Sequence, residues 1–543
     1  ADTITNQNRI LWYPQKNAFM TGRLFVEGAD SVGENSFASG FESKSIGNYS
    51  QALGYQAIAR GENSTAIGNQ ALAAGRNSFA LGEMAKAQGE ESYAFGREAK
   101  AIGYRSFAFG SASPGSSGAG GIWDDAGAPE ATGEYSFAIG NGAKAVKYGG
   151  IALGRNCIAS ENFALAIGCK DTAEGWWTTA IGFGTKAVGE SSTAIGRDTK
   201  AIGVRSTAMG SETKANESSS TAMGERSIAN GAASTAMGMD TEARGHWSTA
   251  MCNSSKAIGH SSIAMGQGTT AGGETSTAMG FETKATGSYS TAMGWQTEAN
   301  EENSTAMGVG SIANGKHSTA MGYYSTADGN TSTAMGYQTI AFGNYSTAMG
   351  SSIKVNGSNS FGIGLKYNAT PDSITTPNIM AIMGGNVGID TVAPKYKFHV
   401  YGSAGGSGSW LTSSDKRLKT NVKPLEGALQ SVLKLQGVTF NWKNETNHRP
   451  GENVGFIAQE VLEILPQVVS GGGVDEQGNE IYYSIEYATL TPVLVEAIKE
   501  QQNAITLLNN ENKGLNKAVK EQQELINKLI EELKAVKEQI KNK

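Results

Sequence analysis

The chain has 543 residues, too many for one compact domain at roughly 150 residues per domain. Glycine supplies 72 of them while charged residues fall to 17% and prolines number only 10, which excludes collagen and proline-rich linkers and asks for a repeated turn. A net charge of −6 argues against a nucleic-acid binder, and no run of about 18 apolar residues offers a membrane-spanning helix. The sequence opens on Ala1 rather than Met, as after removal of a signal peptide or in an expressed fragment. Residues 1–35, with apolar runs at 10–13 (ILWY) and 24–26 (LFV), are expected to cap the first layer of the repeated structure or join it to an anchor.

From residue 36 a unit S-x-A-x-G recurs every 14 residues. Six copies end at Gly40, Gly54, Gly68, Gly82, Gly96 and Gly110; seventeen more run from Gly140 to Gly364, with Cys252 replacing one glycine. A second half-unit, T-x-A-x-G, follows each, as in Thr199 to Gly203. Each unit therefore predicts two short strands joined at tight corners, where glycine permits positive φ. Stacked in register, 23 units predict a parallel solenoid roughly 110 Å long at about 4.8 Å per layer.

Alternation at period two puts Ala194 on one face and Thr193 and Ile195 on the other. An alanine interior buries little area, so one such rod is thinly stabilised by itself. The opposite column is methionine every 14 residues from Met209 to Met349, including Met223, Met237, Met251 and Met265. Upstream it holds Leu81, Phe95, Phe109, Ile139 and Ile195. A stripe this long should pack against copies of itself around a symmetry axis.

Units such as residues 63–68 (NSTAIG), followed by x-x-A-x-x-A-x-G, resemble the left-handed parallel β-roll of YadA-type trimeric adhesin heads. The resemblance covers about 36–364 and implies a trimer with the Met/Ile stripe on the threefold axis. It departs at the carboxyl end, where no membrane-anchor β-barrel follows. The insertion near 111–127, which contains Trp123, Asp124 and Asp125, leaves the solenoid on one face, as binding loops or inert loops do. Aromatic residues recur at one corner of the repeat: Tyr49, Tyr135, Trp177, Trp247, Tyr289 and Tyr345, with Trp176 beside Trp177. They are candidate binding residues for sugar or peptide if that corner faces solvent, or plain covers for their neighbours.

Residues 365–409 are expected to form neck strands and a Gly/Ser linker, and 410–493 a mixed α/β domain. Its predicted elements are a helix over 426–435, a strand over 438–442, a helix over 458–465 ended by Pro466, and a strand over 482–485. From Leu494 to residue 543 a heptad seam, with Ile498, Ile505, Leu515 and Ile526 among its members, predicts a coiled coil. Polar Gln501, Asn512 and Gln522 inside it would set register, and flanking Leu525 and Ile530 widen it to suit three strands.

The run from Ser414-Asp415 through residues 455–461 (GFIAQEV) to Tyr487, Leu490 and Pro492 resembles the intramolecular chaperone domain of endosialidase and related phage tail fibres. That family trimerises, drives folding of upstream β-structure, and often cuts itself off before the aspartate of an S-D pair. The resemblance implies Ser414 as nucleophile and Lys419 as general base for cleavage before Asp415. An ordinary helix-capping role for the Ser-Asp pair is the alternative. Such cleavage would be single-turnover, and no other enzymatic activity is expected.

The fold class expected is mainly β: a trimeric left-handed parallel β-roll, a small α/β chaperone domain and a C-terminal trimeric coiled coil. The trimer interface would comprise the methionine column and the heptad seam. The function expected is a homotrimeric extracellular fibre or adhesin attaching to a surface glycan or protein receptor. A phage tail fibre and a purely structural surface fibre are the alternatives, the latter because the repeat itself encodes no binding site. The histidines are scattered, no nucleotide loop is present, and no cofactor or metal is expected. A polysaccharide-degrading tailspike would place paired carboxylates on its β-surface, where this repeat carries Ser, Thr, Ala and Met. A self-cleaving membrane-bound transcription factor shares the chaperone domain but needs a basic region and a membrane helix.

Overall fold

The computed structural model describes residues 4–112, 127–394, 396–400, 413–443, 451–474 and 480–541. The chain divides into two compact units, Ala1–Gly385 and Asn386–Lys543.

The first unit is a parallel β-solenoid. Each 14-residue turn lays one strand of three to five residues in a long sheet (Thr193–Arg197) and one of two residues in a second sheet (Lys200–Ala201). Successive turns stack in register: Ala194 lies opposite Ala208, Ile195 opposite Met209, and Ala201 opposite Ala215. The long sheet counts 26 strands.

Period-two alternation selects what points inwards. Ala194 and Ala201 are fully buried, as are Ser192 and Thr199, so the interior is two alanine columns and two hydroxyl columns. Among the described residues, fully buried side chains larger than threonine occur in this unit only near its ends, at Leu24, Ile353 and Val355. A buried methyl contributes about 0.8 kcal/mol, so an alanine-filled interior leaves much of the stabilisation to the backbone ladder and the outer faces.

Both ends depart from the repeat. At the first, β1 (Ile4–Tyr13) and β2 (Ala18–Val26) form an antiparallel hairpin, and β2 pairs parallel with Phe37–Phe41. The hairpin thus supplies the first rung, with Leu11 and Tyr13 packed on the core. At the other, the solenoid runs past Gly364: Asp372–Ile374 and Met380–Met383 add one more rung, with Ile363 opposite Ile382. There Ile353, Val355 and Ile374 replace small interior residues, and Gly362 takes the alanine position. A Cβ at Gly362 would lie 2.6 Å from Val355 Cγ2, so the glycine makes room for the larger neighbours.

The corners correct one expectation. Two positions per turn adopt left-handed φ, and most are not glycine: Asp198 (53°), Arg205 (56°), Glu212 (57°) and Ser219 (57°). Their amides continue the ladder, Glu212 N to Arg197 O and Ser219 N to Val204 O, each at 2.8 Å. That bonding offsets the modest cost of left-handed backbone. Glycine is favoured at the strand end instead, with Cys252 (φ 84°) the exception. Gly196 has φ +130°, and a Cβ there would lie 1.9 Å from the carbonyl oxygen of Gly210 on the next turn.

One interior position carries a carboxylate, where later turns carry buried hydroxyls and earlier ones Ala57, Ala71, Ala85, Ala99 and Ala143. Asp171 is fully buried, and its carboxylate accepts from Cys169 N (3.1 Å), Gly182 N (2.9 Å), Thr185 N (2.8 Å) and Thr185 Oγ1 (2.6 Å). On the preceding turn the same column holds buried Cys157, whose thiol burial pushes up to about 11. Asp171→Ala would strand those donors, at about 1–3 kcal/mol for each buried group left without a partner. We expect a lowered melting temperature and faster amide exchange at Thr185 and Gly182. Asp171→Asn should not rescue it, because an amide nitrogen would meet donors; unchanged exchange in Asp171→Ala would refute the assignment.

The outer faces of the two sheets differ in kind. The long sheet presents Thr193, Ile195 and the half-buried methionine column. Upstream the same face carries touching rings of Phe79, Phe95, Phe107, Phe109 and Phe137. The short-strand sheet presents Lys200, Lys214 and ion pairs such as Lys284–Glu298 at 2.8 Å.

In the second unit, Val387–Ile389 pairs in parallel with Phe398–Val400. Helix α1 (Ala428–Lys434) and helix α2 (Ala458–Ile464) flank two small antiparallel ladders, Val438–Phe440 with Asn453–Gly455 and Val469–Ser470 with Ser484–Ile485. Helix α3 (Leu490–Lys541) spans 52 residues. Its first turns bury Leu490, Val493 and Ala497 against α1 and α2. Helix α1 has no side-chain cap of its own; the Glu500 carboxylate from α3 accepts from Ala428 N (3.1 Å) and Leu429 N (2.8 Å) in that place.

Candidate functional site

Two surfaces of the isolated chain are apolar beyond what solvent favours. One is the long-sheet face, where Phe109 is 52% and Met279 37% exposed. Met209, Met223, Met237, Met251 and Met265 sit on it at equivalent positions of successive turns. The other is the α3 seam: Ile498, Ile505, Leu515 and Ile526 are exposed along the helix. The predicted interface residues therefore fall on two continuous stripes, and among the described residues of the second unit the α3 seam is exposed beyond its first turns.

The aromatic corner lies between the short strand of one turn and the long strand of the next. Trp177, Trp247, Tyr289 and Tyr345 all adopt left-handed φ there and are more than half exposed, as is Tyr49. The corner directs large side chains outward because the chain reverses over the turn below. Trp247 packs edge-on against His260, with centroids 4.8 Å apart, while Tyr289 and Tyr345 stand on separate turns. Trp176 and Trp177 join a row of rings that sequence reasoning did not assemble. It runs Tyr104, Tyr135, Tyr148, Phe163, Trp177 and Trp176, with neighbouring centroids 5.3–6.2 Å apart. Of the missed members, Tyr104 and Tyr148 lie one position before the searched column, while Phe163 lies in that column but is followed by Ala164 and so falls outside the Tyr/Trp-Ser/Thr pattern.

Trp123 lies outside the described residues. The insertion that holds it leaves the solenoid at the other corner, between Phe107–Phe109 and Glu130–Ala131.

At the junction, Lys419 Nζ donates to Ser414 Oγ at 2.7 Å. Asp415 caps the 3-10 turn Lys416–Leu418 by accepting from Arg417 N at 2.9 Å, and the Arg417 guanidinium is bonded to the same carboxylate. That guanidinium holds the Asp415 carboxyl below its ordinary range. The structure thus brings nucleophile and candidate base into contact and also realises the capping role, and both side chains stay exposed in the single chain. Among the described residues no group of three His, Cys, Asp or Glu could hold a metal, and no helix is long and apolar enough to cross a membrane.

Comparison with known proteins agrees with this architecture. Eleven segments between residues 59 and 352 match the YadA head domain repeat, and residues 414–470 match the chaperone of endosialidase. The long tail fiber proteins Gp37 of Enterobacteria phages K3 and T2 are each 38% identical over 90 residues. That stretch is 16% of this chain and 7% and 6% of those fibres, so the match spans under a tenth of either relative.

Proposed function

We propose that this chain, built of YadA head repeats and a chaperone of endosialidase domain, is the subunit of a homotrimeric attachment fibre that binds a glycan or protein on a surface. The observation that carries this reading is the uncovered apolar face shared by successive turns of the solenoid, matched by an uncovered heptad seam in the second unit. Two independent stripes that each ask for copies of the same chain are met by one threefold assembly. The Gp37 match favours a phage or phage-like tail, and the head repeats suit a bacterial surface equally.

The test is the purified full chain, sized by light scattering and then applied, labelled, to a panel of bacterial and animal cells. Trimers that bind saturably support the reading; monomers, or trimers that bind no cell type, overturn it.

Processing is a separate part of the proposal. Ser414 Oγ would attack its own carbonyl carbon while Lys419 takes the hydroxyl proton and passes it to the departing Asp415 nitrogen; water then hydrolyses the ester at Ser414, so that the chain parts before Asp415. A lysine serves as base where its surroundings favour the neutral amine. Intact mass of the wild type is expected to show two fragments and Ser414→Ala one chain of 56.6 kDa. A single uncut chain in both would leave only the capping role.

A further inference from the structure

The row of rings from Tyr104 to Trp176 differs from the close flat stacks at the opposite corner in how its rings meet. At the opposite corner Phe281 and Trp295 lie 4.2 Å apart at 17°, and Tyr323 and Tyr337 5.0 Å apart at 5°. Rings stacked so flatly cover one another's faces. Along the row, Tyr104, Tyr135, Tyr148 and Phe163 meet at 88°, 62° and 74°, and Phe163 and Trp177, though parallel within 5°, stand 6.2 Å apart; Tyr148, Phe163, Trp176 and Trp177 are each about half exposed. Trp176 stands at 82° to Trp177 and is held by a bond from its Nε1 to Glu161 Oε2 at 3.0 Å. A local notch is built in as well. Gly149 occupies a left-handed corner, and a Cβ there would lie 2.9 Å from Phe163 Cδ1, so the ring lies where a side chain would stand.

The charge of this ridge is balanced. Its five corners carry Arg105 and Lys147 against Glu134 and Glu161. Arg105 lies 4.9 Å over the Tyr104 ring and is engaged by Glu91 at 2.5 Å. No cluster of cations awaits a phosphate, sulfate or carboxylate. Exposed rings repeated at about 4.8 Å per turn, close to the length of one pyranose unit, suit the C–H faces of successive sugars. Carboxylates beside the rings supply acceptors for hydroxyl groups.

We propose that the ridge from Tyr104 to Trp176 is a binding site for an extended, uncharged oligosaccharide lying along the solenoid axis. It rests on the attachment reading above and names that reading's ligand class and site. Three copies in a trimer would add avidity for a polymeric glycan.

The repeat itself supplies fold-compatible variants. Equivalent corner positions hold Ser218 and Ser288, and the opposite corner holds Ser211. Tyr148→Ser/Trp176→Ser should therefore leave the solenoid intact, and Trp295→Ser serves as control. The assembled full chain is titrated calorimetrically with cellohexaose, maltohexaose and chitohexaose, and with heparin and polysialic acid. Expected is binding of at least one neutral hexasaccharide, weakened at least tenfold in the double variant and unchanged in the control. The proposal is overturned if no neutral hexasaccharide binds or if the double variant binds as the wild type does. It is equally overturned if the anionic polymers compete as well, or if the double variant changes the oligomer size, which would make the ridge a contact between copies. Cell binding separates the two readings: a wild type that binds cells, with a double variant that binds equally, refutes the ridge and leaves the attachment role standing.

Discussion

Removal of residues 414–543 is expected to leave the remaining chain insoluble, although every strand of the solenoid is retained. The reason is degeneracy. Met209, Met223, Met237 and the methionines after them occupy one column at a constant spacing, and the alanine interior repeats with the same period. A neighbouring chain shifted by one turn would meet nearly the same surface, so the repeats specify contact between copies without specifying register. Each misaligned pair also leaves a length of apolar sheet face uncovered, which is an aggregation hazard. Non-repeating sequence has to choose the register, and α3, with Gln501, Asn512 and Gln522 in its seam, can do so. Expression of the truncated and full chains, compared by soluble yield and light scattering, is the measurement. A soluble, uniform and thermally stable trimer from the truncated chain would refute a folding role for the domain.

Met237→Asp combined with Met265→Asp is expected to abolish the oligomer or lower its melting temperature severely. In the isolated chain both side chains are half-buried on the outer face, so the monomer tolerates carboxylates there. In the proposed assembly the same positions converge, and six carboxylates would enter an apolar seam. An uncompensated buried charge costs on the order of 3–5 kcal/mol, which a marginal assembly cannot absorb at six sites. Lys214→Asp with Lys256→Asp places the same charges on the exposed polar face of the short-strand sheet and should change little. If the methionine variant keeps its oligomer size and melting temperature, the column does not face a partner chain. Sedimentation and calorimetry on the three proteins decide the matter.

Several features are legible because they depend on spacing alone. The 14-residue period announces stacked turns, and the alternation around Ala194 announces which side faces in. The helices expected over 426–435 and 458–465 correspond to α1 and α2, shortened at their ends. The heptad seam from Leu494 lies within the single long helix α3. In each case a side chain's direction follows from its own position along a regular backbone, so no distant residue enters the inference.

The site is a different matter. Trp176 and Trp177 stand out by residue type, yet Tyr104 and Tyr148 join them only once the turns are stacked and two neighbouring columns interleave. Ser414 and Lys419 are paired through a resemblance; that the side chains touch is a property of the turn that Asp415 caps. Asp171 reads as one more polar residue in a threonine column until its carboxylate meets three amides and a hydroxyl.

Sequence by itself determined the solenoid, its inward alanines, its outward apolar stripe and the heptads near its carboxyl end. Local periodicity sets these, and an energetic preference repeated at every turn leaves little choice of face. Only the tertiary structure decided which residues bear the left-handed corners, why glycine is favoured at the strand ends, and which rings meet across turns. Those depend on how closely one turn approaches the next, a distance that no single repeat contains.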